Sequence, residues 1–286
     1  MIIFIEYGRL GNQLFQYAAL KSLAKDEKLY FIGFDDFKST FDGHEAKFLI
    51  QRGTFIYRLL VFFLPQLNTF LWKIPIFRVI KQKLVENEMS VEVKSGFINS
   101  VSYCCTSSFQ SEKIFSPNVI THLKIKSDLL NKVKDQIHNL NCANQKLIFV
   151  HIRRGDYIRW PSKETPGVIP GEWYRRCISE MQKRYQNPFF IFASDDIHYV
   201  KDLFSDLQNS FISEANKGED FALMTLCDGG ILSASSFAWW AAYFAKKQNS
   251  QATFLAPLYW AGHSTSQWYP PSTQSSFLEY VPVIPK

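Results

Sequence analysis

The stretch Lys146-Leu-Ile-Phe-Val-His-Ile-Arg-Arg-Gly-Asp-Tyr157 decides how the fold of this chain is interpreted. Its first half is an apolar run, which predicts a buried strand over 146–152. Charged and hydrogen-bonding side chains end this strand and follow it: His151, Arg153, Arg154 and Asp156. Open α/β sheets bind ligands at the carboxyl ends of their strands. The stretch therefore predicts an anion-binding site at the edge of a parallel sheet.

Strands and helices alternate regularly beyond this stretch. The apolar patterns predict helices over 172–186, 196–206, 219–228 and 236–247, and strands over 188–193, 208–213, 229–233 and 252–256. Such alternation implies a parallel sheet with right-handed crossovers. The chain also opens with a βαβ unit, in which strands 1–6 and 28–34 flank a helix over 13–25. We therefore predict an α/β protein of two facing Rossmann-like domains, with the active site in the cleft between them.

A polar break at 139–144 separates the two halves. It follows a segment, 128–140, whose apolar residues recur with helical spacing. Placing the boundary at this break gives an N-terminal domain over 1–145 and a C-terminal domain over 146–286.

Composition narrows the class of protein. The 286 residues are 47% hydrophobic and 16% aromatic, enough to bury sizeable cores, so disorder is not expected. The net charge of +6 favours an anionic partner. The first six residues contain no basic leader, and we expect a cytoplasmic protein. Five cysteines without C-x-x-C spacing predict reduced, mostly buried thiols rather than disulfides or a zinc site.

An apolar and basic segment covers 55–83. Pro65, Asn68, Lys73 and Pro75 interrupt it before the roughly 20 apolar residues that a membrane-spanning helix needs, so no transmembrane helix is expected. Two interpretations remain. The favoured one is two short core helices joined at Pro65, because aromatic stripes in helices usually face the core. The other is a patch that touches the inner face of a membrane or a lipid-linked acceptor.

Polar residues also follow the other predicted strands of the C-terminal half: Ser194, Asp195, Asp196, Glu214, Ser233, Ser235 and Ser236. Two arginines together with serines at the start of the helix that contains Phe237 fit a diphosphate. Carboxylates suit the hydroxyl and amino groups of a sugar or base. This set favours a nucleotide-sugar pocket over a nucleic-acid groove, which needs a longer basic surface.

Some of these residues also have a purely structural interpretation. Arg154 fits a buried ion-pair partner, Asp195 or Asp196 a helix cap, and Ser235 an N-cap. In the N-terminal half, the loop before the first helix fits either a plain tight turn or a close approach to a ligand at Gly8 and Gly11, with Asn12 as the helix cap.

The chain resembles the bacterial α-1,2-fucosyltransferases of glycosyltransferase family 11. The resemblance rests on ordered blocks over nearly the whole length: Gly8-Arg-Leu-Gly-Asn-Gln-Leu-Phe-Gln-Tyr17, His151-Ile-Arg-Arg-Gly-Asp-Tyr157, Phe192-Ala-Ser-Asp-Asp196, Asp220-Phe-Ala-Leu-Met-Thr-Leu-Cys227 and Ser235-Ser-Phe-Ala-Trp-Trp240. It implies a GT-B fold, GDP-fucose held mainly by the C-terminal domain, a galactoside acceptor held mainly by the N-terminal domain, and inversion without a required metal or other cofactor.

The resemblance also implies roles for single residues. Arg153 would bind the β-phosphate, with Arg154 and Ser194 beside it, and His151 and Asp195 would contact guanine. Ser235, Ser236 and Phe237 would complete the donor site. Arg9, Gly11, Asn12 and Gln13 would face the cleft from the other domain. Asp156 is a candidate general base, but it fits equally a bracket that holds Arg153 in position.

Two departures from the family pattern bear on the donor. Ala234 stands where the family usually has Asn, and Gly229-Gly230 follow Asp228 where it has basic residues or His. An alanine side chain neither donates nor accepts a hydrogen bond. The departures keep two alternatives open: a transferase of the same fold that uses GDP-mannose or UDP-galactose, and a glycan-binding protein that has lost catalysis.

Overall fold

The computed structural model describes residues 1–283, which form two compact units divided between Lys126 and Ser127. The first unit contains, in chain order, β1 (Ile2–Ile5), α1 (Leu10–Ala24), β2 (Leu29–Ile32), α2 (Asp35–Thr40), β3 (Phe41–Asp42), β4 (Lys47–Ile50), α3 (Phe55–Lys73), β5 (Phe77–Val85), β6 (Glu88–Lys94), β7 (Ile98–Cys104) and β8 (Lys124–Ile125). Its main sheet has the strand order β4-β2-β1-β7-β5-β6. All neighbours in it are parallel except the hairpin β5–β6.

The second unit contains α4 (Ser127–Asn139), β9 (Lys146–Ile152), α5 (Gly171–Arg184), β10 (Pro188–Ser194), α6 (Ile197–Leu203), β11 (Ser210–Ile212), α7 (Lys217–Thr225), β12 (Gly229–Ile231), α8 (Ser236–Gln248), β13 (Thr253–Pro257) and β14 (Glu279–Val281). Its sheet is wholly parallel, in the order β11-β10-β9-β12-β13-β14. Chain order reverses between β9 and β12, which is the arrangement of a Rossmann sheet. The predicted α/β class with two Rossmann-like units is confirmed.

The domain boundary lies earlier than predicted. Helix α4 was assigned to the first domain, yet it packs on α7 of the second unit. Leu129 and Val133 supply its buried stripe, and Lys132 forms an ion pair with Glu219 on α7. The polar break at 139–144 is therefore a loop inside the second unit.

Burial on both faces explains why the strands around β9 are apolar throughout. In β9, every residue from Leu147 to Ile152 is buried, and in β10 every residue from Pro188 to Ala193 is buried. Parallel strands covered by helices on both sides carry such continuous apolar runs. The five cysteines are free and buried, as predicted.

The prediction of two core helices joined at Pro65 is wrong. Helix α3 runs without a break through Pro65, and Leu64 and Leu71 are its buried residues. Pro65 costs the helix one backbone hydrogen bond, and the packing of its leucines on the sheet offsets that loss. Within residues 1–283, α3 is the one helix long and apolar enough, by length and composition alone, to cross a membrane. Pro65, Asn68 and Lys73 lie within this helix and Pro75 lies just beyond it. We expected these residues to keep the segment too short to span a membrane, and that expectation is wrong as far as length is concerned.

Candidate functional site

The candidate site lies where β9 and β12 separate from each other at their carboxyl ends. Ile231 of β12 pairs with Val150 of β9, and the N–H of Ser233 still donates to the carbonyl of His151 at 3.1 Å before the two strands continue into different loops. Ligands of open α/β sheets bind in the crevice at this switch point. His151 and Ser233 lie at its two sides, one on each strand end.

His151 is buried and neutral. Its Nδ1 lies 2.7 Å from Ser233 Oγ, and its ring lies 5.6 Å from the ring of Phe237. Burial, and then the charge of Arg153, lowers the pKa of His151 to about 3. A neutral imidazole keeps one donor and one acceptor nitrogen. His151 is therefore suited to recognising a polar group by hydrogen bonds rather than by charge.

Arg153 lies between two carboxylates. Its Nη1 is 2.9 Å from Asp195 Oδ2, and its Nη2 is 2.5 Å from Asp156 Oδ1. Gly155 permits this approach, because a Cβ there would lie 2.5 Å from Asp195 Oδ2. A guanidinium has five N–H donors, so these two pairs fix the group and leave further donors for a phosphate. Both predicted catalytic residues, Arg153 and Asp156, therefore lie together.

Arg154 faces away from this cluster. Its guanidinium stacks on the ring of Tyr199 at 3.6 Å, and its Nε donates to Asp196 Oδ2 at 3.0 Å. Asp196 also caps α6 by accepting from the backbone N–H of Tyr199. That bond, together with Arg154, keeps the pKa of Asp196 below its usual range. The structural interpretation of Arg154 and Asp196 is thus the one that their contacts support.

Ser194 and Asp195, both predicted to bind the nucleotide-sugar donor, form hydrogen bonds with other residues of the protein. Ser194 Oγ donates to the carbonyl of Ile152 and accepts from the N–H of Asp196. Asp195 accepts from the backbone N–H of Arg154 as well as from Arg153. Asp195 therefore positions the arginine loop, and the sequence could not distinguish that role from a contact with the base.

Ser235 and Ser236, two of the predicted donor-site residues, lie at the start of α8. Ser235 is the N-cap, and its Oγ accepts from the N–H of Phe237 at 3.3 Å. Ser236 opens the helix and is partly exposed. Backbone N–H groups of a helix N-terminus, with the helix dipole, favour an anion.

Asp220 is a partly buried carboxylate near this region that the sequence analysis did not single out as a candidate. It lies in the first turn of α7, and its Oδ1 accepts from Ser213 Oγ at 2.6 Å, at the end of β11. Burial raises its pKa to about 6. The adjacent Phe221 contacts Phe237, which contacts His151. The signal that could have identified Asp220 is its position at the start of the family-like block over 220–227.

In the first unit, the loop Tyr7–Arg9 leads into α1. Gly8 has a φ of +94°, and a Cβ there would lie 2.2 Å from Asn12 Nδ2. The helix starts at Leu10 with Arg9 as its N-cap residue, so Asn12 is not the cap that we predicted. Asn12 instead accepts from Gln110 Nε2 at 2.7 Å. Arg9 is exposed, whereas Gly11 is buried.

Gln13 belongs to a buried network, not to an open surface. The carboxylate of Glu6, at the end of β1, accepts from Gln13 Nε2 at 2.5 Å and from the N–H of Phe34 at 2.8 Å. It also accepts from Arg52 Nε at 2.6 Å and from Tyr57 OH at 2.8 Å. The side-chain amide oxygen Oε1 of Gln13 accepts from the backbone N–H of Phe37 in α2 at 2.8 Å. Gln13 was predicted to face the cleft, but its side chain is fully buried and its amide is committed inside the fold.

Arg52 links this network to the loop. Its Nη2 donates to the carbonyl of Gly8 at 2.8 Å, and its ion pair with Glu6 raises its pKa. Glu6 therefore fixes the backbone of the loop that carries the first block of the family resemblance.

The glycine pair at 229–230 has a structural explanation, whereas nothing in the structure explains the alanine at 234. Gly229 and Gly230 lie in β12 at the end of the strand remote from Ser233, and a Cβ on Gly230 would lie 2.4 Å from the ring of Phe149. They serve packing within the sheet. Ala234 is buried, and its carbonyl accepts from Tyr157 OH at 2.8 Å.

Metal-binding groups are not assembled in the described part of the chain. Among residues 1–283, no three His, Cys, Asp or Glu side chains come together as a set that could hold a metal ion. Metal independence stays a prediction.

Comparison with known proteins relates this geometry to a family. Residues 3–264 match the profile of glycosyl transferase family 11. The chain is 26% identical over 296 aligned positions to the O-antigen biosynthesis glycosyltransferase WbnK of Escherichia coli, covering 91% of this chain and 95% of that one. It is 23% identical to galactoside alpha-(1,2)-fucosyltransferase 2 of Hylobates lar, covering 82% of this chain and 66% of that one.

A solved structure is similar in fold. POFUT1 in complex with GDP-fucose superposes with a TM-score of 0.53 at 14% identity, covering 88% of this chain and 96% of that one. The family match spans both units and includes the blocks around Gly8, Arg153 and Ser235. The chain is therefore a glycosyltransferase and belongs to glycosyl transferase family 11.

Proposed function

We propose that this enzyme transfers L-fucose from GDP-fucose to the 2-hydroxyl of a terminal galactose in a glycan such as an O-antigen or capsule. The observation that carries the proposal is Arg153, held by Asp156 and Asp195 at the switch point of the second sheet. The family and the activities of the relatives named above support the choice of donor, acceptor and linkage.

The diphosphate is bound by cationic and backbone donors. Arg153 offers its remaining N–H groups, and the N-terminus of α8 at Ser235 and Ser236 offers backbone amides. As the glycosidic bond breaks, both electrons of that bond pass to the β-phosphate oxygen. Arg153 stabilises the charge that develops there.

The guanine base is recognised by His151 and Asp220 in this proposal, rather than by Asp195. Guanine presents two adjacent N–H donors, which match a carboxylate. Both oxygens of Asp195 already accept bonds from the arginine loop. Asp220 accepts one bond from Ser213, and its raised pKa reflects a buried carboxylate with little compensation. A bidentate partner would stabilise its charged form.

The reaction inverts the anomeric carbon. The acceptor hydroxyl oxygen attacks that carbon from the face opposite GDP, its proton passes to a base, and GDP leaves as the anion. No metal takes part in the proposed route, and the enzyme works at the cytoplasmic side of the cell. Asp156 is a candidate for this base and equally for a bracket that holds Arg153, and its ion pair with Arg153 favours the bracket role.

The test measures GDP release from GDP-fucose with galactoside acceptors. We expect turnover by the native enzyme and a fall of about 100-fold or more in kcat for Arg153→Ala. Arg176→Ala is the matched control, since Arg176 is exposed on α5 and donates to the carbonyl of Pro282. Equal rates for Arg153→Ala and Arg176→Ala would refute the phosphate role. Absence of turnover with every galactoside would refute the reaction.

One observation supports a second donor class. Ala234 has no side-chain amide, so it cannot make the hydrogen bond to the nucleotide sugar that is expected of an asparagine at this position. GDP-mannose or UDP-galactose is then the alternative donor. A melting-temperature panel of nucleotide sugars separates the two, because a bound donor stabilises the native state.

A further inference from the structure

Helix α3 has two apolar faces. One face consists of Tyr57, Leu60, Leu64, Leu67 and Leu71, which recur with helical spacing and pack on the sheet and its strand ends. The packed partners include Ile5 and Ile32 near one end of α3 and Val79 and Tyr103 near the other. This face accounts for how α3 is attached to the first unit.

The other face is exposed to solvent. Its members are large side chains with the following exposed fractions: Phe55 75%, Ile56 58%, Leu59 43%, Phe62 70%, Phe63 55% and Phe70 49%. Phe97, at 88% exposed, lies close to the end of α3, where its N–H donates to the carbonyl of Pro75 at 3.3 Å, and we group it with this face. We call these seven residues the apolar face. A contiguous exposed aromatic surface of this kind marks an interaction site.

Polar contacts fix α3 along its length on the sheet. Tyr57 OH donates to the buried carboxylate of Glu6, Asn68 Nδ2 donates to Thr106, and Asn68 Oδ1 accepts from Tyr103 OH. Crossing a membrane would require α3 to leave these partners and the packed leucines. The helix is therefore suited to lying in the plane of an interface while its first face stays on the protein.

Both charged side chains of α3 are basic. Residues 46–85 contain seven basic residues and no acidic residue: Lys47, Arg52, Arg58, Lys73, Arg78, Lys81 and Lys83. Three of them pair with carboxylates outside this stretch, Arg52 with Glu6, Arg78 with Glu27 and Lys83 with Glu92, so the proposal rests on the basic residues of α3. Arg58 and Lys73 are exposed on α3 itself. Lys81 and Lys94 lie over the ring of Trp72, at 5.0 and 5.6 Å from its centroid. Aromatic and basic residues on one surface are typical of a segment that binds anionic lipid.

We propose that the apolar face docks on an anionic lipid bilayer, with α3 lying in the plane of the membrane surface. The phenylalanines insert among the acyl chains next to the head groups, and Arg58 and Lys73 contact lipid phosphates. Docking holds the enzyme at the surface where a lipid-linked glycan would be presented. The docking itself does not depend on which sugar is transferred.

Co-sedimentation of the full chain with vesicles tests the proposal. We expect binding to phosphatidylcholine vesicles that contain phosphatidylglycerol, and much weaker binding to phosphatidylcholine alone. Phe62→Ser should weaken binding by about tenfold or more. Leu49→Ser is the matched control. Leu49 is 53% exposed on β4. Successive side chains of a strand point to opposite faces, and the side chain of Ile50 packs under α3, so Leu49 lies on the opposite face of the sheet from α3.

Charge substitutions provide the second arm. Arg58→Ala with Lys73→Ala should weaken binding to anionic vesicles by about 30-fold. Lys28→Ala with Lys134→Ala, two exposed lysines outside 46–85, should leave it unchanged. Transfer to a soluble galactoside and the melting temperature should stay native in all four variants, because none of these residues belongs to the candidate site.

Two outcomes would overturn the proposal. One is equal binding of Phe62→Ser and Leu49→Ser to anionic vesicles. The other is a stable dimer of the native chain that Phe62→Ser converts to a monomer, without vesicle binding by either form. That result would assign the apolar face to a second copy of the chain.

Discussion

Asp156→Asn distinguishes the two roles open to this residue. Asp156 is 63% exposed and lies 2.5 Å from Arg153, whose side chain is 32% exposed. An ion pair this open to solvent contributes about 0.2–1 kcal/mol, which corresponds to a factor of about five at most. Loss of a general base costs about 100- to 10,000-fold. Because the asparagine amide oxygen still accepts from Arg153 Nη2, we expect kcat to fall by less than about fivefold.

The assay is steady-state GDP release as a function of pH, together with calorimetric GDP binding. A bracket role leaves the acidic limb of the kcat profile in place and keeps the Kd for GDP within about threefold, since Asp195 still holds Arg153. A fall of 100-fold or more in kcat, with an unchanged Kd and a lost acidic limb, would refute this reasoning. It would assign Asp156 as the base.

Three further predictions follow from the two units. If Asp220 binds guanine, GDP binding should weaken by about tenfold per pH unit below its pKa of about 6; Asp220→Asn should abolish both this dependence and the preference for GDP over IDP, as measured by calorimetry. Burial lowers the pKa of His151 to about 3 in the folded chain, so between about pH 6.5 and pH 3 this side chain is protonated only in the unfolded chain. The free energy of unfolding should therefore fall as the pH is lowered through this range. His151→Gln should weaken this pH dependence, as measured by urea denaturation at a series of pH values. Gly8→Ala should cost about 1–3 kcal/mol and lower kcat, since φ is +94° and the new Cβ would meet Asn12; native melting and kcat would show that the loop tolerates a side chain.

Local pattern was sufficient to predict most of the second unit. The strand at Lys146–Ile152 is found where the apolar run placed it, and α8 starts at Ser236 as predicted. Continuous apolar runs broken by polar strand ends occur where a parallel sheet is covered on both faces, so sequence and burial carry the same information there. The carboxyl-end rule then placed His151, Arg153 and Ser235 at one edge.

The incorrect predictions concern features that the pattern of apolar and polar residues along the sequence does not determine. Helix α3 is apolar on nearly every side, so its sequence does not say which face meets the sheet. A glutamine in a loop-to-helix block is polar whether it meets a ligand or a buried carboxylate, and Gln13 meets Glu6. Asp195 follows a strand and Asp220 lies in the first turn of a helix, and the partners that give them different roles, Arg153 and Ser213, are brought to them by the fold.

Glu6 makes the local opening of several segments of the first unit cooperative. Its carboxylate accepts from donors on four separate segments, represented by Gln13, Phe34, Arg52 and Tyr57. Releasing any one segment leaves a buried charge with fewer donors, which opposes the local opening of α3 or of the Gly8 loop by itself. Amide protons in β1, the start of α3 and the loop should therefore exchange with solvent as one cooperative block. The face that we assign to the membrane would then be as resistant to proteolysis as the core beneath it.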